Sequence, residues 1–134
     1  MLPDFDENGN LPPGIHPCTL EEVVARFGFG SAERQTETAE LQEFVRWARE
    51  AGVSRLIVDG SYVTTKRAPN DVDLVILPGS DYPRQQQPAL VSSQQWPFLH
   101  IQVALDEADL QQWVTIDFGT DRNQNPRGVV EILL

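Results

Sequence analysis

Apolar residues recur at helical spacing between residues 32 and 51, and this pattern predicts a long helix over Ala32–Ala51. Four of them fall at positions i, i+3, i+4 and i+7: Leu41, Phe44, Val45 and Ala48. Such a stripe is typical of a helix that packs one face against a sheet. Ser31 is suited to cap the first turn, and Gly52 is suited to end the helix in the left-handed conformation.

Weaker patterns predict further helices. Thr19 stands three residues before Glu22, and this capping-box pattern predicts a helix over Leu20–Phe27. Apolar spacing also favours a helix over residues 106–116 and, less strongly, one over residues 89–95.

Short apolar runs with alternating polar positions predict four strands, over residues 56–58, 72–77, 98–105 and 129–134. Proline- and glycine-rich stretches predict loops over residues 1–17, 78–88 and 119–128. Helices and strands that mix along one chain indicate the α/β or α+β class. We therefore expect a small mixed β-sheet flanked by helices.

Length and charge limit the organisation and the partners. A chain of 134 residues predicts one domain over residues 1–134, with an irregular N-terminal segment over residues 1–18. The net charge of −10 opposes direct nucleic-acid binding, because proteins neutralise phosphate backbones with Lys and Arg. The same charge is explained either by solubility or by a basic protein partner.

The chain lacks the marks of export or membrane insertion. Its first ten residues carry no basic-then-apolar signal pattern, and no apolar run approaches the length needed to cross a bilayer. Cys18 is the single cysteine, which excludes an intramolecular disulfide and suits a reducing compartment. The expectation is a cytoplasmic protein without membrane association. His16 and Cys18 lie close together, but without further partners a packed segment is favoured over a metal or nucleophile site.

The chemistry concentrates between the first two predicted strands. Gly60 and Ser61 form a tight turn after the first, and Asp71 and Asp73 lie at the start of the second. Alternate strand residues share a face, so the two carboxylates point the same way. A glycine turn lets backbone N–H groups approach phosphate, and carboxylates are the ligands that magnesium prefers. This arrangement predicts a magnesium–phosphate site, although an Asp-x-Asp pair alone is also typical of a solvent-facing strand end.

Basic residues near this motif are open to two interpretations. Lys66 and Arg67 lie between the turn and the aspartates, and Arg122 and Arg127 lie in the predicted terminal turn. Each could contact phosphate oxygens, with Lys66 the first candidate, or remain a solvated surface charge.

The chain carries Gly60-Ser61, then nine residues, and then Asp71-Val72-Asp73 between apolar residues. This pattern resembles the signature of the minimal nucleotidyltransferases of the polymerase-β superfamily. The flanks LPPGIHPCTLEEVVARFG and FGTDRNQNPRGVVEILL resemble a bacterial family of uncharacterised nucleotidyltransferase-like proteins. The resemblance implies a palm-type fold in which the Gly-Ser turn holds the triphosphate of an NTP substrate. It implies that Asp71 and Asp73 are catalytic and bind up to two magnesium ions.

The resemblance also implies a third carboxylate on the next strand, where this chain has the neutral Gln102. Asp106 and Asp117 are the alternative candidates, and Asp117 has the apolar flanks of a strand residue. Two functions remain open. The first is a magnesium-dependent transferase that moves NMP from an NTP to a protein or RNA hydroxyl, with an antitoxin acting on a basic toxin as one implied role. The second is a degenerate nucleotidyltransferase fold that binds protein or nucleotide.

Overall fold

The computed structural model describes residues 2–86 and 90–134, and in this part of the chain five strands form one mixed sheet. The strands are β1 (Ile15–Cys18), β2 (Val53–Asp59), β3 (Val72–Pro78), β4 (Leu99–Val103) and β5 (Val129–Ile132). Their order across the sheet is β1-β5-β2-β3-β4. The outer pairs β1–β5 and β3–β4 are parallel, whereas β2 is antiparallel to both β3 and β5.

The sheet carries helices on both faces. The helices are α1 (Leu20–Phe27), α2 (Ala32–Ala51) and α3 (Glu107–Gln112), the last continued by a π-helical turn over Trp113–Asp117. Short 3₁₀ turns cover Gly60–Val63 and Arg84–Gln86. The predicted class, a mixed sheet flanked by helices, is confirmed, whereas the palm-type arrangement stays a prediction.

Alternation along the central strands divides the core. Leu56, Val58, Leu74 and Ile76 face α1 and α2, where they pack with buried residues such as Phe27 and Phe44. Ile57 and Val75, which lie between these positions, face the opposite side of the sheet. Leu110 of α3 and Val114 of the π-helical turn cover them there. A strand with apolar residues on both faces must be covered on both, and this determines the layered architecture.

Local signals set the bounds of α1 and α2 as predicted. Thr19 and Glu22 form the capping box, with the Thr19 Oγ1 accepting from the Glu22 N–H at 3.2 Å. Ser31 accepts from the Arg34 N–H at 3.2 Å, and Gly52 ends α2 at a φ of 84°. None of the described helices is long and apolar enough to cross a membrane.

The expected irregular segment over residues 1–18 is wrong at its end, because Ile15–Cys18 forms β1. Pro17 does not prevent this, since β1 lies at the sheet edge, where a missing N–H is tolerated. His16 Nε2 lies 2.6 Å from the Pro12 carbonyl oxygen. Cys18 is buried, and burial raises the pKa of its thiol to about 11, so both residues pack within the fold.

Three other expectations change on either side of the third predicted strand. Asp117 is not a strand residue, because the helix after β4 continues through it as a π-helical turn. The predicted helix over residues 89–95 begins outside the described residues, and residues 91–95 form turns. The predicted loop over residues 78–88 likewise ends outside them, and its first residue, Pro78, belongs to β3.

Candidate functional site

A cavity of about 520 Å³ lies beside the turn that follows β2 and the start of β3. Residues of the predicted site line this cavity: Gly60, Ser61, Lys66, Asp71, Asp73 and Asp117. Arg122 and Arg127 reach it from the segment before β5. The chain therefore brings carboxylates, cationic side chains and a glycine turn together around one space.

Gly60 has a structural reason to be glycine. Its φ is +76°, in the left-handed region that L side chains rarely adopt. A methyl group built on Gly60 would also overlap the carboxylate of Asp73. The backbone of the turn and the Asp73 side chain therefore approach each other closely only because no side chain separates them.

Asp73 is held at the start of β3, one position past the strand's first residue, and is half-buried with its side chain 22% exposed. Burial raises the pKa of Asp73, and the neighbouring Asp71 carboxylate raises it further. A contact from His100 and the charge of Arg127 lower the same pKa. A cation that joined Asp71 and Asp73 would relieve the repulsion between them.

Asp59 is a residue of this region that the sequence motif did not identify. It pairs with Asp73 in the β2–β3 ladder, and its side chain is fully buried. Neither carboxylate oxygen has a hydrogen-bond partner among the residues that the structure describes. Burial, followed by the charge of Asp73, raises the pKa of Asp59 to about 9. An Asp directly before a glycine turn resembles an ordinary turn residue, so its sequence context gives no sign of burial.

His100, rather than Gln102, contacts Asp73. In the parallel β3–β4 ladder His100 is the partner of Asp73, and Gln102 is the partner of Val75. The Nδ1 of His100 lies 3.2 Å from the Asp73 Oδ1, and the Gln102 Nε2 lies 3.4 Å from the His100 Nε2. Gln102 is not among the residues lining the cavity.

The two other candidates for a third carboxylate lie in different places. Asp106 does not line the cavity. It caps α3 instead, accepting from the Asp109 N–H at 2.8 Å. Asp117 does line the cavity, from the end of the π-helical turn. Of the three candidates, Asp117 is therefore the one that lines the same cavity as Asp71 and Asp73.

Arg34 holds the loop that carries Lys66. It is buried on α2, with 4% of its surface exposed, and it donates five hydrogen bonds to backbone carbonyl oxygens. The acceptors are the carbonyls of Phe27, Tyr62, Thr64 and Lys66. Its guanidinium therefore ties the chain after the glycine turn to α2. The sequence gives no signal for this role, because an arginine near a helix start is usually a surface charge.

The segment that carries Arg122 and Arg127 is organised around Asp121. The Asp121 Oδ1 accepts from the N–H groups of Asn123 and Asn125 at 2.9 Å, and its Oδ2 accepts from the Asn10 side chain at 3.1 Å. These hydrogen bonds, with that from the Asn125 backbone first, lower the pKa of Asp121 to about 2. The contacts fasten the N-terminal segment to this turn at the edge of the cavity.

Comparison with known families adds one result. The chain matches the profile of a family of unknown function, DUF6932, over residues 3–133. It belongs to this family. No curated protein and no solved structure gives a significant match. The DUF6932 match spans every residue that lines the cavity, from Gly60 to Arg127.

The residues of this cavity in the DUF6932 chain fit a magnesium ion shared with phosphate. Among residues 2–86 and 90–134, no group of three or more His, Cys, Asp or Glu is placed to hold a metal by itself. Magnesium usually takes one or two carboxylates together with substrate phosphates and water. Asp71 and Asp73 are the carboxylates that could hold this ion, and the backbone of Gly60 packs directly against the Asp73 carboxylate. Lys66, Arg122 and Arg127 give the same cavity positive charge for a polyphosphate.

Proposed function

We propose that this protein is a magnesium-dependent nucleotidyltransferase that moves an NMP group from an NTP to a protein or RNA hydroxyl. The observation that supports the proposal is the cavity of about 520 Å³. It combines the glycine turn, the Asp71–Asp73 pair and cationic side chains from two separate segments. Carboxylates for a hard cation beside cations for phosphate are the arrangement that phosphoryl-type transfer requires.

The proposed roles follow from position. The backbone N–H groups of the Gly60–Ser61 turn bind the β- and γ-phosphates, because this turn lines the cavity. Lys66 lies before β3 and Arg127 lies before β5, and both line the cavity, so phosphate charge is neutralised from two separate segments. Asp71 and Asp73 hold magnesium, which when bound neutralises the charge on the triphosphate.

The reaction is an in-line displacement at the α-phosphorus. The acceptor hydroxyl oxygen forms a bond to this phosphorus, the bond to the β-phosphate oxygen breaks, and pyrophosphate leaves. The hydroxyl proton must pass to a base, and we assign this role to Asp117, which lines the cavity and is exposed. The chain's task is chiefly to orient the groups and to stabilise charge.

The acceptor that suits the chain best is a hydroxyl on a basic protein. The net charge of −10 attracts a positively charged partner and opposes an RNA backbone. We propose that this basic partner is a toxin, and that the protein acts as its antitoxin by modifying it.

A second candidate function is nucleotide or protein binding without transfer. The strand position beside Asp73 on β4 carries His100, and the nearby Gln102 is neutral and outside the cavity. If Asp117 does not act as the base, the site keeps its magnesium and phosphate ligands and lacks a group for catalysis. This degenerate module would bind NTP with magnesium and consume none.

Label transfer from α-³²P NTPs tests the proposal. Purified protein, magnesium and each NTP are incubated with a lysate of the native host as the acceptor source. Wild-type protein should label a protein or RNA, Asp73→Asn should not, and Asp106→Asn should label as wild type because Asp106 lies outside the cavity. Binding of NTP without label supports the second function. Absence of both binding and label contradicts both functions.

A further inference from the structure

A second cavity, of about 470 Å³, lies next to the phosphate-binding cavity, and Asn70 lines both. Its walls come from the start of α2, the loop before β3 and the residue before β4. Half of the described residues that line it are apolar, and the polar ones are Glu33, Thr36, Glu37 and Asn70. No Lys or Arg is among the described residues that line it, so it is not a second phosphate site.

Glu37 is the unusual group in this cavity. Its side chain is 2% exposed, and its Oε1 has no hydrogen-bond partner among the described residues. The nearby Arg34 does not provide one, because its donors go to backbone carbonyl oxygens. A buried, unpaired carboxylate oxygen is costly, and a ligand that donates to it would remove that cost.

The rim of the cavity carries an aromatic ring at a fixed position. Phe98 is 40% exposed, and its backbone N–H donates to the Glu40 Oε2 at 2.6 Å, which holds the ring beside α2. Pro69, which is buried, lines the cavity from the loop before β3. A planar heterocycle can stack on an exposed aromatic ring such as that of Phe98.

We propose that this cavity binds the guanine base of the NTP, with the guanine N1–H and 2-amino groups donating to the Glu37 carboxylate. Guanine presents two adjacent donors on one edge, which match the two oxygens of a carboxylate. Asn70 carries an amide that can donate to the guanine O6. Adenine has an acceptor, N1, where guanine has a donor, so an ionised Glu37 repels it.

The two cavities are close enough to serve one nucleotide. Asn70 borders both, and the charge of Asp71 in the phosphate-binding cavity is felt at Glu37, where it helps burial to raise the carboxyl pKa to about 7. The inference rests on the proposed function, because it names the base of the nucleotide whose phosphates occupy the first cavity.

Calorimetric binding of GTP, ITP, ATP, CTP and UTP in magnesium at pH 8 tests the assignment, because Glu37 is mostly ionised at that pH. GTP should bind about tenfold or more tightly than ATP, CTP or UTP. ITP, which lacks the 2-amino group, should fall between them. Glu37→Gln should remove the preference for GTP, while leaving binding of the other NTPs nearly unchanged.

Matched variants separate this inference from the proposed function. Glu43→Gln, the same substitution at an exposed position of α2, should keep the GTP preference. Asp73→Asn should weaken all NTPs alike. Equal binding of all NTPs, or a preference for ATP, overturns the guanine assignment and leaves the proposed function standing. No binding of any NTP by folded wild-type protein overturns both. The comparison of GTP with ITP needs no mutation, so it does not depend on the stability of a variant.

Discussion

Asp59 lies directly opposite Asp73 in the β2–β3 ladder, so two carboxyl groups face one region at the base of the candidate site. Asp59 is fully buried, whereas Asp73 is half-buried and borders the cavity. Two such neighbours are not both readily ionised, because burial and mutual repulsion disfavour the second charge. Asp59 is the one held in its neutral form, which leaves Asp73 as the charged ligand.

Asp59→Asn should change how stability depends on pH in magnesium-free buffer. The pKa of Asp59 is raised from 3.8 to about 9 in the folded protein. The contribution of its protonated form to the free energy of unfolding is therefore fully present below about pH 4. That contribution is lost as the pH rises towards 9, at up to about 1.4 kcal/mol per pH unit. Urea unfolding between pH 4 and 9 should show this decline in wild type and a flatter profile in Asp59→Asn.

Asp81→Asn provides the control, because Asp81 is exposed and the substitution is chemically the same. Its profile should follow that of wild type. Identical slopes for wild type and Asp59→Asn would show that Asp59 is already ionised in the folded protein.

Local signals were enough to predict the long helices and the central strands. Thr19, Ser31 and Gly52 cap helices through contacts within a few residues, so their effect is readable from spacing. β1 is not predictable locally, because Pro17 argues against a strand and the pairing that permits it comes from β5, far along the chain. The apolar neighbours of Asp117 suit both a strand and a helix end, so its sequence context does not decide between them.

Some residues of the candidate site are likewise predictable from local sequence, and others are not. Gly60, Asp71 and Asp73 belong to one short motif, and the cavity contains them all. The contact between His100 and Asp73 depends on the register of β3 with β4, and the burial of Glu37 depends on which loop covers α2. Neither relation leaves a local trace in the sequence, because a charged residue on a helix is usually exposed.

Gly60→Ala should weaken both the fold and nucleotide binding. The residue has a φ of +76°, and a methyl group there would overlap the Asp73 carboxylate. We expect a loss of about 2 kcal/mol or more in the free energy of unfolding. Gly30→Ala is the control, because Gly30 has a φ of +103° and open space around it, so it measures backbone strain alone. Equal losses for the two variants would contradict a close approach at Gly60.

Arg34→Lys should destabilise the protein although the charge is kept. Lysine cannot replace five hydrogen bonds to four carbonyl oxygens, and buried acceptors would lose their partners. The expected loss is about 2 kcal/mol or more by urea unfolding. NTP affinity should fall as well, because the loop carrying Lys66 loses its anchor. The exposed Arg46→Lys on the same helix should change stability by less than about 0.5 kcal/mol.

Three variants decide which residue acts as the third polar group of the site. Asp117→Asn should lower the rate of label transfer by about a hundredfold, as loss of a general base does, with NTP affinity nearly unchanged. Gln102→Ala and Asp106→Asn should transfer at the wild-type rate, because neither residue lines the cavity. A large effect of Gln102→Ala would move the catalytic role to β4 and contradict the assignment of Asp117.

His100→Ala should make cation binding more sensitive to acid. The contact from His100 lowers the pKa of Asp73, against burial and Asp71, which raise it. Without that contact the Asp73 pKa rises further, and a protonated Asp73 is a poor ligand. Mn²⁺ affinity, measured by EPR, should therefore fall more between pH 7 and pH 4 in His100→Ala than in wild type, because the pKa of Asp73 is raised from 3.8. Because the His100 side chain is 61% exposed, the extra loss should be small, about two- to threefold.

His100→Asn keeps a donor at this position and should recover part of the affinity. An equal pH dependence in all three proteins would show that His100 does not support Asp73 as a ligand.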